Sequence, residues 1–476
     1  MTAVAQQSEI GALRKNRTCP GITLREWLDY LEQSNQLSVA HPRVKLKHEL
    51  AAIGKRLDGE RACLFPQPGG HAIPVVTGLL SHREWIADAV GVSTKELLGV
   101  YQSALRNPLP CQTVENAPVQ EVVHATIDLT KQLPIPTHNE HDAGPYLSAA
   151  VLIMRNPLTG AQNVSINRCQ QIAPDRFGVL IATRDTRLFY DAAEKAGVDV
   201  EVAIVIGASP LVMMASQFTA PSGQDELEIA GALADEPLRV TKCRSNNVLV
   251  PADAEIVLEG RMRPKVREAE GPFGEFPQVY GPQGQREVIE VECVTHRKDP
   301  IFQTIVSGCR EHLLLGSIPR EAVVLSRLQW TFPNVKNVHL PLGGFGRFHI
   351  WVQIQKRHDG EGKNIMLSAL SAHFDFKFCV IVDDDINVFD REAVDFAIAT
   401  RYRADEQTLI VSNAQCSKLD PVATNGVGSK IGIDATKPMH DEPMRYKRIA
   451  VPGEHDIDLS AALQKNPDNW RKTLHN

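Results

Sequence analysis

Apolar and polar positions change rhythm along the chain. Trp27, Leu28 and Leu31 follow Thr23-Leu24-Arg25-Glu26 at helical spacing, and that opening is a capping-box pattern, so a first helix is expected from Thr23. Mixed helix and strand signals run to about Arg106. There the proline-punctuated connector NPLPCQTVENAPVQ marks a first boundary. From about Glu121 to Gly308 the segments VEVAIVIG, EPLRVTKC, AEIVLEGRM, REVIEVECVTHR and PIFQTIVSG are β-branched and separated by Gly, Pro and Asp turns. REVIEVECV alternates as a half-buried antiparallel strand does. One helix, roughly Thr186 to Lys195, interrupts the run, so the middle reads as a β-barrel or sandwich with an inserted helix.

After Gly316 the rhythm changes again. Pro319 stands where a first helical turn tolerates proline, and REAVVLSRLQW continues from it. The strand RFHIWVQIQK, the helix NIMLSALSAHF, the strand KFCVIVDDD, the helix REAVDFAIATR and the strand TLIVS then alternate. Such alternation predicts a separate α/β domain with a mostly parallel sheet. The expected fold is therefore α/β (α+β): an N-terminal α/β region (1–115), a strand-rich central domain (116–315), a C-terminal α/β domain (316–455) and a tail (456–476) with one short helix.

Composition narrows the classes. Of the 476 residues, 43% are hydrophobic and 23% charged, which excludes disordered, collagen-like and coiled-coil chains. A net charge of −6 gives no basis for holding nucleic acid by phosphate neutralisation. The nine cysteines are scattered without a CxxC pair, so neither a disulfide framework nor a structural zinc site is predicted. The opening MTAVAQQSEIGALRKNR lacks the apolar stretch of a signal peptide. VAIVIGASPLVMMASQF, from Val202, is broken by Gly207, Ser209, Pro210 and Ser216 and reads as a buried strand plus a loop, not a membrane span. A soluble, cytoplasmic protein is expected.

Several clusters invite chemical readings. His138-Asn139-Glu140-His141-Asp142 lies in a Pro/Gly-rich loop and is not an HExxH motif; a hydrogen-bonded loop is favoured over a metal site, though a metal-dependent hydrolase on His138 and His141 stays open as an alternative. Asp383-Asp384-Asp385-Ile386-Asn387 imitates a calcium loop, but Val388 stands where that loop needs glycine. Acidic residues ending a buried strand before a helix near Asp390 are expected instead. Gly344-Phe345-Gly346 and Gly426-Val427-Gly428-Ser429-Lys430 complete neither GxGxxG nor a Walker A loop and read as tight turns. Glu270-Gly271-Pro272-Phe273-Gly274-Glu275 places two carboxylates around a Gly-Pro turn. Unlike environments at such a pair can yield one ionised group and one proton donor. In Asn163-Val164-Ser165-Ile166-Asn167-Arg168, the guanidinium suits a bidentate carboxylate clamp or a structural ion pair.

Read in order, N-V-S-I-N-R, I-G-A-S-P, D-E-L-E-I-A-G-A-L, V-P-A-D-A-E-I-V-L-E-G, E-G-P-F-G-E, T-H-R-K-D-P-I, V-D-D-D-I-N-V and G-S-K-I-G-I-D-A-T resemble the UbiD family of prenylated-flavin-dependent decarboxylases, over about residues 20 to 440. The resemblance implies that the central domain is a split β-barrel binding prenylated FMN, with the C-terminal domain used in dimerisation. It implies reversible, non-oxidative decarboxylation through a covalent adduct with that flavin. An aromatic or heteroaromatic acid is expected as substrate, with an acrylic-type acid or a catalytically silent flavin-binding subunit as alternatives.

Residue by residue, the resemblance places the catalytic set on Arg168, Glu270 and Glu275, with Glu275 as proton donor. A divalent metal, Mn2+ or Mg2+, would take Asn163 and Glu226. The family's third ligand, a histidine, has no counterpart: its position falls on Asp185, or on Thr183 if the alignment shifts by two residues. Flavin contacts are expected from Ser165, Ile166, Asn167, Arg168, Arg184, Asp185, Glu226 and the loop Ser216-Gln217-Phe218, near which relatives hold K+. His312, His373 and Phe374 are candidates for the substrate end of the pocket. Implied partners are a small aromatic acid, CO2, a flavin prenyltransferase that supplies the cofactor, and further copies of the chain as homodimer or homohexamer.

Overall fold

A computed structural model describes residues 18–463 except 182, 183, 222, 441 and 443. The possible metal ligand Thr183 and the end of the tail lie outside the described residues. The first helix, Leu24–Gln33, is capped as its sequence demands. Thr23 Oγ1 accepts from the Glu26 amide at 3.1 Å and its hydroxyl donates to the Glu26 carboxylate at 3.0 Å. Leu24, Trp27, Leu28 and Leu31 form its buried stripe.

The central domain is an open ten-stranded sheet, antiparallel throughout, whose hydrogen-bonded path does not close on itself. Its spine is Gly284–His296, which pairs in turn with Arg267–Glu270, Arg176–Val179, Ile256–Met262 and Val122–His124. The alternation expected along REVIEVECV therefore holds only from Ile289 to Cys293. Glu287 is buried because Arg187 and Arg267 neutralise it. The inserted helix runs Arg184–Ala196. Among the described residues no helix is long and apolar enough to cross a membrane, and VAIVIGASPLVMMA forms the buried strand Val200–Ile206 and the short helix Pro210–Ala215. All nine cysteines are free.

Three expectations need correction. PIFQTIVSG does not join the central sheet: only Phe302–Gln303 is a strand, and it lies parallel to Val75–Thr77 at the edge of the four-stranded N-terminal sheet. Pro319 does not start a helix; it lies inside Arg310–Thr331, which runs unbroken through the 315/316 division. Burial of Leu313, Leu314, Leu315, Ile318, Ala322 and Leu325 along that helix offsets the lost hydrogen bond. The C-terminal sheet, ordered Val335–His339, His349–Ile354, Phe378–Asp383, Val427–Ala435, Thr408–Gln415, is parallel only in its two central pairings and antiparallel at both edges. Val427 to Lys430, where a tight turn is expected, is instead the start of the strand Val427–Ala435.

The long helix is fastened to the N-terminal region by Glu311, whose carboxylate accepts from the amides of Gly78 and Leu79 at 2.8 and 3.0 Å. Burial pushes this carboxyl up to about 7 despite those donors. A raised folded-state pKa means that its stabilising contribution is complete below the ordinary value of 4.5 and is lost as pH rises through about 7. Glu311→Gln should therefore gain stability relative to the parent chain between pH 5 and 8, by on the order of 2–4 kcal/mol. Thermal unfolding of both proteins across that range measures it; a gap independent of pH would contradict it.

Candidate active site

Arg168 follows the strand Gln162–Ile166 and stands at the turn into Cys169–Ala173. Glu270 ends the strand Arg267–Glu270; Gly271, at φ 87°, and a cis Gly271–Pro272 bond turn the chain into the hairpin Phe273–Gly274/Tyr280–Gly281. Glu275 lies at the tip of that hairpin, its amide donating to Val279 O at 2.9 Å. Gly281 lets the two side chains come close, since a Cβ there would crowd them at 3.1 Å from Arg168 Nη1 and 3.3 Å from Glu275 Cγ. Two carboxylates, one on a strand and one on the hairpin that follows it, thus meet on one guanidinium 102 and 107 residues away in sequence.

They meet it unequally. Glu270, fully buried, accepts from Arg168 Nε and Nη2, both at 2.9 Å, in a bidentate pair; Tyr146 Oη lies 3.2 Å from it and Arg286 Nε 4.0 Å. Glu275 meets Arg168 through Nη1 alone. Burial and the Glu270 carboxylate push the Tyr146 phenol well up, so it stays a donor. Arg168 also lies 5.2 Å from the Phe273 ring centroid. Arg168 is thus locked by Glu270, while Glu275 is the carboxyl with fewer donors.

A second group of residues gathers where the strand Gln162–Ile166 meets the helices Arg184–Ala196 and Glu226–Ala234. Asn163 Nδ2 donates to Thr186 Oγ1 at 2.8 Å; Glu226 accepts from the Val164 amide at 2.8 Å. Burial, with help from the nearby Asp225 and Asp185 carboxylates, pushes Glu226 up to about 8. Asp185 is held by Arg184 Nη2 at 2.7 Å, and Arg184 also donates to Ala220 O at 2.9 Å. An amide oxygen and two carboxyl groups are the oxygen donors that a hard divalent cation takes, and a cation there would relieve the pressure on Glu226. Among the described residues no group of three or more His, Cys, Asp and Glu is placed to hold a metal ion, so any metal site here depends on the amide. Asn167 Nδ2 donates to Ser165 Oγ at 2.8 Å, and Ile166 is half-buried beside them. The Ser216 hydroxyl is spent on Met213 O, Gln217 is half-buried, and the Phe218 ring stacks on Tyr101 in the core, leaving mainly backbone on the 216–218 loop for a ligand. Thr186 went unnoticed in the sequence; nothing but its place on the helix links it to Asn163.

At the other end, His312 Nδ1 accepts from the Gly308 amide at 3.3 Å, and Gly308 O accepts from Gln278 in the acid hairpin at 3.1 Å. His373 and Phe374 stack on each other at 4.5 Å, with Phe374 exposed. Two arginines that the motifs did not single out join them. Arg320 donates to Asp375 at 3.2 Å, and Arg347 lies 4.4 Å over the ring of Phe276, its buried Nε without a hydrogen-bond partner. Burial, then Arg347, pushes His312 down to about 3; burial, then Arg320, does the same to His373. Both histidines are neutral, so two guanidiniums face the single carboxylate of Asp375.

The remaining clusters resolve as structure. His138 is buried against Thr304 Oγ1 at 2.7 Å, whereas His141 is exposed beside Tyr280, so they do not converge. Asp383 and Asp385 both pair with Arg401, and Asp390 caps the next helix. Phe345, Gly346 and Gly426 take positive φ in turns.

Comparison with known proteins places this geometry. The chain matches the 3-octaprenyl-4-hydroxybenzoate carboxy-lyase N-terminal domain over residues 28–105, the Rift-related domain over 112–310 and the C-terminal domain over 313–435. The UbiD-class enzyme HmfF from Pelotomaculum thermopropionicum, solved with FMN, is 47% identical, with a TM-score of 0.90 over 92% of this chain and 100% of that one. The 3,4-dihydroxybenzoic acid decarboxylase from Enterobacter cloacae is 27% identical, with a TM-score of 0.84 over 96% of this chain and 100% of that one. Anhydromevalonate phosphate decarboxylase of Methanothermobacter thermautotrophicus is 38% identical over 379 residues, 79% of this chain and 88% of that protein. With all three domains matched in order and the relatives alike along nearly their whole length, the chain belongs to the UbiD family of flavin-dependent carboxy-lyases.

Proposed function

We propose that the protein catalyses the reversible decarboxylation of an aromatic or heteroaromatic acid carrying a second acidic group, on prenylated FMN. The observation behind this is the guanidinium of Arg168 shared by two unlike carboxylates. Prenylated FMN, when bound, supplies the sink for the electron pair that CO2 leaves behind. Arg168, oriented by Glu270, aligns the scissile carboxylate. As the C–C bond breaks, Glu275 delivers its proton to the same carbon, forming the C–H bond, and is recharged from solvent. In the carboxylating direction Glu275 removes that proton. Phe273 and Phe276 keep water from the reacting carbon.

Asn163, Asp185 and Glu226 would hold Mn2+ or Mg2+, with Arg184 as a further cation; Ser165, Ile166, Asn167 and the 216–218 backbone would line the flavin. A flavin prenyltransferase supplies the cofactor, and the chain works as a homo-oligomer. HmfF from P. thermopropionicum is known with prFMN in an evolved dimeric form, which supports the choice of cofactor and the homo-oligomer.

The second acidic group is inferred from Arg347 and Arg320 facing one carboxylate, an excess of positive charge beside the acid hairpin. A non-aromatic reading rests on the same excess: the relatives called anhydromevalonate phosphate decarboxylases are named for a phosphorylated acid. Protein co-expressed with a flavin prenyltransferase and purified anaerobically should be screened for CO2 release. The panel comprises benzene-, pyridine-, pyrrole- and furan-dicarboxylic acids, their mono-acid counterparts, cinnamic acid and a phosphorylated unsaturated acid. Turnover of a ring diacid supports the proposal, and turnover of the phosphorylated acid alone replaces it with the second reading. Arg347→Met should raise KM for a ring diacid roughly 10- to 100-fold, the worth of one charge-assisted contact, and leave a mono-acid unchanged.

A further inference from the structure

The hairpin that carries Glu275 is gripped from two sides. From the central domain, the Asp142 carboxylate accepts from the Gly274 amide at 2.9 Å, the His141 amide donates to Tyr280 Oη at 3.2 Å, and the Gln278 side chain donates to Gly308 O at 3.1 Å. From the opposite side the grip is apolar. Phe276, 2% exposed, packs with Leu313 and Phe348 and against the partly buried Leu342, Phe345 and Leu419. Its ring meets Phe348 edge-on at 5.3 Å, and Arg347 covers its face at 4.4 Å.

Except for Leu313, in the first turn of the long helix, every one of those partners lies in the C-terminal α/β unit. Adjacent residues therefore answer to different parts of the molecule: Glu275 is seated on Arg168 of the central sheet, and Phe276 in a pocket of the C-terminal unit. Consecutive Cα atoms are held about 3.8 Å apart by a rigid peptide, so a backbone shift that unseats one residue also displaces the other.

We propose that Phe276 is a positioning residue that couples docking of the C-terminal α/β unit to the placement of Glu275 on Arg168. With the ring seated, the acid is aimed at the reacting carbon; with the pocket withdrawn, the hairpin tip is released and proton delivery stops, while the flavin-facing strand Gln162–Ile166 is undisturbed. This rests on Glu275 being the proton donor.

The test uses holoprotein of Phe276→Ala, the milder Phe276→Leu, and Phe348→Ala, which empties the pocket from the far side. Hydrogen–deuterium exchange read by mass spectrometry should show peptide 272–281 exchanging at least tenfold faster in Phe276→Ala and Phe348→Ala, with peptides covering 162–166 unchanged and the flavin absorbance retained. With the best-turned-over acid of the panel above, kcat should fall tenfold or more at nearly constant KM. Phe276→Leu should recover part of the loss, and the Phe276→Ala/Phe348→Ala double variant should be no worse than either single one. Unchanged exchange of 272–281, or additive losses in the double variant, would overturn the coupling. Full activity of Glu275→Gln would instead remove the proton-donor reading; if no acid turns over, the exchange measurements alone decide the coupling.

Discussion

Glu275→Gln is expected to lose roughly 10²- to 10⁴-fold in CO2 release, the usual worth of a positioned general acid. The flavin spectrum and thermal stability should stay close to those of the parent. The two shapes are nearly identical, and an amide oxygen can still accept from Arg168 Nη1, so the hairpin keeps its seat. What the amide lacks is a transferable proton. Glu270→Gln should behave differently. It breaks the bidentate pair on Arg168 Nε and Nη2, leaving the guanidinium to swing toward Glu275. Its loss should therefore include a raised KM, because Arg168 no longer presents a fixed fork to the substrate carboxylate. Steady-state kinetics on both variants, with flavin content matched, separates the roles. A Glu275→Gln protein within a fewfold of the parent would assign the proton to another group.

Arg168→Met should destabilise the protein by about 3–5 kcal/mol as well as abolish turnover, since removing one partner of a buried ion pair strands the other. Glu270 is fully buried; after the substitution it keeps only Tyr146 within hydrogen-bond reach and Arg286 at 4.0 Å. The double variant Arg168→Met/Glu270→Gln should regain much of that stability and none of the activity, because the stranded charge is gone while the clamp is still missing. Denaturation midpoints of the two variants and the parent make the comparison. Equal losses in both variants would mean that packing around Arg168, not the charge, sets the cost.

The meeting of Arg168, Glu270 and Glu275 was legible because these residues lie in compact, ordered motifs. Glu270 and Glu275 sit five residues apart around glycines and a proline, and Arg168 closes a distinctive N-V-S-I-N-R run. The rhythm of the chain likewise told strand-rich middle from alternating end. The helix Leu24–Gln33 begins at the residue its capping box specifies. Other local readings failed where burial outweighed local preference. Pro319 is a stop signal by propensity, yet it lies inside a helix whose apolar face is covered along its length. Phe302–Gln303 has a barrel strand's composition but finds its partner in the N-terminal sheet, since β propensity says nothing of which edge is free.

Family membership, the three-domain order and the grouping of Arg168, Glu270 and Glu275 were thus determined by the sequence alone, through short-range patterns that a chain carries whatever its fold. Which groups face one another was decided only by the tertiary structure. Thr186 beneath Asn163, Asp142 behind Gly274, Arg347 over Phe276 and the excess of guanidinium over carboxylate near His312 are separated by tens of residues or more. No periodicity links such positions. They are neighbours because an antiparallel sheet brings distant strands to adjacent register, and because one long helix runs on from the central domain into the C-terminal unit.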